Sequence, residues 1–285
     1  MWSKYHTNSN GMRVLAAILM SCWLLIGLCS VPARAEEAYS FAVVPQFEQR
    51  KLFAVWKPIV DELAKRSGIK LNLVATLTVP EFERELARGA FDFVYANPYH
   101  ILREVPRQGY VPLVRDKAAL RGILVVRKDS AFKSPAELEG QKLAIPSFNA
   151  VGASLLLRAD LEQIYKVRMT AVNVKTHSSV YLQVANGLLP AGGGVEKTFL
   201  EQDQAVQDLL RVLYVTREMP SHPVAAHPRV PPAVRKAMQK AFLDMAAGET
   251  GRDMLARVPM AEAIPASIAD YQPMRSWGLD AYWVE

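Results

Sequence analysis

From residue 40 onward the chain alternates short apolar runs with longer stretches whose apolar residues recur every three or four positions. Period two marks half-buried strands and period 3.6 marks amphipathic helices, so the alternation predicts an α/β layered fold rather than a bundle or a sandwich. Strands are expected at 40–44, 69–75, 91–95, 111–115, 122–127, 142–145, 170–174 and 212–215. Across 52–65, Leu52, Val55, Trp56, Ile59, Val60 and Leu63 share one helical face, Pro58 reads as a first-turn residue or a kink, and Gly68 closes the helix. Thr78-Val79-Pro80-Glu81 and Ser134-Pro135-Ala136-Glu137 have the spacing of capping boxes. Further helices are expected at 98–107, 152–165, 178–186, 233–247, 249–257 and 267–277, with another running to Leu210. The glycines 192–194 read as a tight turn where another backbone or a ligand comes close.

The charged link Arg115-Asp116-Lys117 and the proline-rich run 219–232 read as two crossovers. Half a lobe then precedes a complete second lobe, and C-terminal helices complete the first. The expected division is 36–118 with 224–285 in lobe 1 and 119–223 in lobe 2, and a cleft between lobes is a default ligand site. The first 35 residues follow a different pattern: Lys4 and Arg13 precede an apolar run at 14–28, and Ala33-Arg34-Ala35 follows. That is the layout of a cleavable secretory signal peptide over 1–35, with a run shorter than the ~20 residues needed to span hydrocarbon. Lipoprotein cleavage before Cys29 would place the bulky Leu28 where a small residue belongs, so the Ala-x-Ala site is favoured.

Removing that segment changes the charge picture. The whole chain has 34 basic and 28 acidic side chains; Lys4, Arg13 and Arg34 leave with the segment and no acidic residue does, so 31 face 28. A surplus of three gives no argument for nucleic acid, and no later stretch is long and apolar enough to span a membrane. Both cysteines, Cys22 and Cys29, lie in the same segment, so residues 36–285 offer neither a disulfide nor a thiolate metal site.

Candidate chemistry gathers at strand-to-helix junctions. The loop Pro146-Ser147-Phe148-Asn149-Ala150-Val151-Gly152 enters a predicted helix, where backbone N–H groups and the helix dipole favour an anion, with Ser154 one turn further; an ordinary turn capped by Asn149 fits the same residues. Thr176-His177-Ser178-Ser179 opens the next helix, where His177 is a donor and Ser178 or Ser179 a cap or ligand. Tyr95, Asn97, Tyr99 and His100 follow a buried-looking strand, where ligands often meet α/β sheets, although the two tyrosines suit the core equally. Serine catalysis has no Gly-x-Ser-x-Gly elbow to support it, and 191–198 departs from a phosphate loop at Glu196. His222 and His227 lie five apart in an extended stretch, on opposite faces, and read as structural.

Taken in order, Phe41-Ala42-Val43-Val44-Pro45-Gln46, Trp56-Lys57-Pro58, Phe91-Asp92-Phe93-Val94-Tyr95-Ala96-Asn97-Pro98, Leu124-Val125-Val126-Arg127-Lys128-Asp129-Ser130 and residues 177–187 resemble the phosphate/phosphonate-binding periplasmic proteins of ABC transporters, over about 39–275. The resemblance implies the two-lobed type II periplasmic binding fold, a periplasmic location, no enzymatic activity and no cofactor. It also implies a monomer that closes on a small anionic solute and docks on an inner-membrane ABC permease. The alternative use of the same fold is a sensory module facing a membrane histidine kinase or cyclase. The family's His falls on His177, while its Ser-Thr-Ser run falls on Asn149, Ala150 and Val151, and a common Asp falls on Pro190. The expected ligand set is therefore Tyr95, Asn97 and Tyr99 from lobe 1 with Ser147, Asn149, Ser154, His177, Ser178 and Ser179 from lobe 2.

Overall fold

The computed structural model describes Met1, Trp2 and residues 38–285, so the expected signal segment and its cleavage site lie, apart from those first two residues, outside the described residues. Residues 38–285 build two sheets. The first contains β1 (Tyr39–Val43), β2 (Leu71–Ala75), β3 (Phe93–Tyr95), β4 (Val111–Asp116), β10 (Val224–Ala226) and β11 (Ala263–Pro265), in the order β11-β4-β10-β3-β1-β2. The second contains β5 (Gly122–Arg127), β6 (Lys142–Ile145), β7 (Thr170–Asn173), β8 (Ala191–Val195) and β9 (Leu210–Val215), in the order β7-β6-β8-β5-β9. The chain leaves the first sheet after β4, builds the whole second sheet, and returns in β10, which runs antiparallel to β3 and β4. The two passages are tied together by Leu120 and Met219, which exchange backbone hydrogen bonds of 2.8 and 2.9 Å. They form a short two-stranded hinge between two lobes.

Nine helices cover the sheets among the described residues: α1 (Gln49–Ser67), α2 (Val79–Ala87), α3 (Pro98–Gln108), α4 (Leu157–Tyr165), α5 (His177–Ala185), α6 (Glu196–Leu200), α7 (Gln204–Leu209), α8 (Pro232–Ala247) and α9 (Glu249–Ala256). The face read from the sequence is the one α1 buries: Leu52, Trp56, Ile59, Val60 and Leu63 are buried, with Val55 at the edge. Pro58 sits inside α1 rather than in its first turn. Trp56 and Phe41 lie 5.8 Å apart and Phe242 of α8 meets Phe41 at 6.3 Å, so α1 and α8 pack side by side on one face of the first sheet around a shared core.

Four expectations change in the structure. The glycines 192–194 are the middle of strand β8, not a turn, because β8 lies between β5 and β6 with helices pressed on it. Ser134 caps only a single 3-10 turn, Pro135–Leu138. The helix expected from 152 begins instead as a π-helical turn, Val151–Leu156, before continuing as α4. The helix expected at 267–277 is a chain of 3-10 turns, Ile268–Asp270, Gln272–Ser276 and Leu279–Tyr282, preceded by the unforeseen strand β11. Those turns pack Tyr271, Met274 and Leu279 between Tyr99 and Leu102 of α3 and Val151, Leu155 and Ala159 of the other lobe. A regular helix would present only one apolar stripe, whereas these residues serve two neighbours.

Candidate functional site

Parallel pairing brings loops to one end of each sheet. β1 is parallel to β2 and β3, and β6 is parallel to β7 and β8, so the residues following these strands collect at their C-terminal ends. Between the lobes these loops enclose a cleft of about 470 Å³. Gln46, after β1, and Asn97, after β3, line it from one side; Ser147 to Ala153, after β6, and Thr176 to Ser178, after β7, line it from the other, with Phe148 excepted. Helices α1, α3 and α5 and the π turn thus start at the cleft, and each presents amides without intrahelical acceptors and the positive end of its dipole. Asn97 caps α3 by accepting from the His100 N–H at 2.9 Å, and Thr176 caps α5 by accepting from the Ser179 N–H at 3.0 Å.

The π turn has a specific cause. The N–H groups of Ser154 and Leu155 both donate to the Ala150 carbonyl, at 2.8 and 3.0 Å, so the first turn is wide. Its backbone is also pressed against the second sheet. A Cβ on Gly193 would stand 2.0 Å from the Ala153 carbonyl oxygen, and one on Gly122 would stand 2.2 Å from the Gly152 carbonyl oxygen. Only glycine at both positions lets this turn lie so low, and Val151, Gly152 and Ala153 at its start line the cleft.

Asn97, Ser147, Asn149, His177 and Ser178 of the expected set line the cleft, and Tyr95, Tyr99, Ser154 and Ser179 do not. Tyr95 is fully buried, 4.7 Å from the Trp56 ring and 5.4 Å from that of His222. Its hydroxyl has no partner, and burial pushes its ionisation far above the usual tyrosine range. Tyr99 faces Trp283 at 6.0 Å in the core beneath the C-terminal turns. The Ser154 hydroxyl donates to the Phe148 carbonyl at 2.8 Å, and the Ser179 hydroxyl accepts from Thr176 at 2.8 Å. The helix-start serines therefore satisfy their own loops. Asn149 is not the helix cap, a position taken by Ala150, and its side chain bonds to Glu83 and to the backbone of Val284.

Histidine is the group that sequence reasoning underused. Of the four histidines in residues 36–285, His100, His177 and His222 all line the cleft. The Nε2 of His222 lies 3.1 Å from the Gln46 side-chain nitrogen, while its Nδ1 is buried without a partner; burial holds this imidazole neutral, with its pKa lowered to about 3. His177 is lowered to about 4 by the same cause, and its Nδ1 is also unpaired. The His100 Nε2 is 2.8 Å from a Glu83 carboxylate oxygen. The two-residue period correctly separates His222 from His227, which instead meets the edge of Tyr110 at 5.2 Å, but it cannot show that His222 reaches the cleft. Among the described residues no group of three side chains could hold a metal ion. Around the cleft Lys51, Lys175, Lys197 and Arg257 outnumber Glu48, Glu201 and Asp203 by one charge.

Two α/β lobes, a double crossover and a cleft at the ends of the parallel strands define a two-lobed periplasmic binding protein. The sequence model of the periplasmic substrate-binding proteins of phosphonate ABC transporters matches residues 41–271, and the chain belongs to that family. The family is one of transport proteins that bind a substrate, not of enzymes. Solved structures of the same fold include PhnD1 from Prochlorococcus marinus in complex with methylphosphonate, 13% identical over 86% of this chain and 98% of that one, with a TM-score of 0.76. A binding protein component of an ABC phosphonate transporter from Pseudomonas aeruginosa is 14% identical over 85% of both chains, with a TM-score of 0.73. A Xanthomonas citri protein bound to ATP is 17% identical over 87% of this chain and 98% of that one, with a TM-score of 0.70. No helix of the described residues is long and apolar enough to cross a membrane.

Proposed function

We propose that this chain captures a small oxyanion of the phosphonate, phosphite or phosphate class in the cleft and delivers it to an inner-membrane permease. The carrying observation is the low-lying π turn, whose residues Val151, Gly152 and Ala153 line the same cleft as the N-terminus of α5. Amides at helix starts suit an oxyanion because their hydrogens and dipoles point outward together. Ser147, Ser178 and His177 supply further donors in the place of the Ser-Thr-Ser hydroxyls. Each hydrogen bond to a charged group is worth about 1.5–3 kcal/mol, so three such donors would offset three missing hydroxyls. Contacts from both lobes would favour the closed arrangement, which gives the permease a form to recognise.

Melting of residues 36–285 with phosphate, phosphite, methylphosphonate, larger phosphonates, sulfate and carboxylates tests this directly. A ligand at a hundred times its Kd adds ~2.7 kcal/mol of stability, and the expected shifts come from phosphorus oxyanions. Shifts confined to carboxylates or amino acids would end the oxyanion reading. His177→Ala is expected to weaken oxyanion binding severalfold without unfolding the protein; unchanged affinity in calorimetry would remove His177 from the site. Ala150→Ser restores one hydroxyl at the cradle and is expected to tighten binding by up to about tenfold. No gain would show that Ala150 does not face the bound anion.

A further inference from the structure

Asn149 occupies the first place of the replaced Ser-Thr-Ser run, and its side chain bridges three parts of the chain. Its Nδ2 donates to Glu83 Oε2 at 2.9 Å and to the Val284 carbonyl at 2.8 Å, while its Oδ1 accepts from the Val284 N–H at 2.9 Å. Both amide hydrogens are thereby used, and the paired bonds to Val284 imitate one rung of a β-ladder. Glu83 belongs to α2 on the first sheet, Asn149 follows β6 of the second sheet, and Val284 comes from the last residues. The other Glu83 oxygen holds His100 of the cleft.

The neighbouring residues repeat this bridging in alternation. The Tyr282 carbonyl accepts from Arg158 at 2.7 Å and the Tyr282 hydroxyl donates to Glu162 at 2.7 Å, both in α4 of the second lobe. Trp283 lies 4.3 Å from the Arg103 guanidinium and edge-on to His100 at 5.6 Å, both in α3 of the first lobe. Glu285 pairs with Arg103 at 2.7 Å, although it is exposed and adds little. Residues 282–285 lie beyond 41–271, the span that matches the family, whereas their partners lie within it.

We propose that residues 282–285 form a strap across the two lobes and that Asn149 is the positioning residue that fastens it, setting the equilibrium of lobe closure and through it the affinity of the cleft. Contacts made to both lobes at once exist only while the lobes are near, so they favour that arrangement over a splayed one. Apparent affinity then falls in proportion to the fraction of molecules in the near arrangement once the strap is released. The affinity consequence rests on the proposed oxyanion function; the closure consequence does not.

Residues 36–285 contain no cysteine, so Lys70→Cys and Gln141→Cys, both exposed and one on each lobe, take a pair of spin labels cleanly. Double electron–electron resonance on this protein, and on the same protein with Asn149→Ala or Trp283→Ala, reads the separation of the lobes without any ligand. Both variants are expected to broaden the distribution or shift it away from that of the parent, and saturating methylphosphonate to restore it. Calorimetry with methylphosphonate is expected to show Kd raised at least threefold in both. Unchanged distributions in two folded variants would overturn the strap, and shifted distributions with an unchanged Kd would overturn the positioning role of Asn149. Absence of methylphosphonate binding to the parent would count against the ligand reading, and the distances alone would still decide the strap.

Discussion

Gly193→Ala is expected to destabilise the protein by about 3–5 kcal/mol, a melting shift on the order of 10 °C, and to abolish ligand binding in the molecules that still fold. The new Cβ would stand 2.0 Å from the Ala153 carbonyl oxygen, a backbone atom that cannot turn aside as a side chain can. Relief requires lifting the π turn off β8, which displaces the amides of Val151, Gly152 and Ala153 together. The neighbouring glycines grade the effect. Gly192→Ala meets methyl groups of Val180 and Val184 at 2.6 and 2.9 Å, which can repack, so its cost is expected to be smaller. Gly248, with φ −95° and nothing nearer than 4.0 Å, accepts alanine with little change and serves as the control. Denaturant melts of the three variants, read beside ligand titrations, check the order; equal stability of Gly193→Ala and Gly248→Ala would show that the turn does not rest on β8.

Acidification from pH 7 to 5 is expected to lower stability by on the order of a few kcal/mol before any ordinary carboxylate titrates. In the unfolded chain His177 and His222 titrate near 6.5, whereas burial lowers them to about 4 and about 3 in the folded protein. Between those values the unfolded state binds more protons, so stability falls as the pH falls below about 6.5 and this loss ends only near the folded values. Melting temperatures measured across the range in His222→Gln should fall less steeply than in the parent. A parent profile that stays level from pH 7 to 5 would mean that the imidazoles are hydrated and titrate normally. An oxyanion bound beside these rings favours their protonated form, so the loss should shrink in its presence.

The polarity pattern was enough to place the layers because its causes are local. The apolar face of α1 repeats within a few turns of one helix, whereas Arg115 and Asp116, read as a link between lobes, are the last residues of β4 and pair with β11. Asn97 and Thr176 cap their helices with bonds that span three residues, and such bonds depend on little else. The loop after β6 was also legible as a place where amides emerge. Less legible were the glycines 192–194: their composition matches a turn, and only the π turn packed on β8 explains why a strand interior must lack side chains.

What the sequence determined alone was therefore the α/β alternation, the strand-to-helix junctions, and the resemblance that the family match supports. The tertiary structure decided which polar side chains remain available there. His222 and Gln46, 176 residues apart, meet beside the cleft, and Asn149 meets Val284 across 135 residues. No local period encodes such meetings, because they depend on how two sheets and a hinge bring distant loops together. Helical and strand patterns persist because backbone hydrogen bonds enforce them over a few residues, whereas a site between lobes exists only once both lobes and the segments joining them are in place.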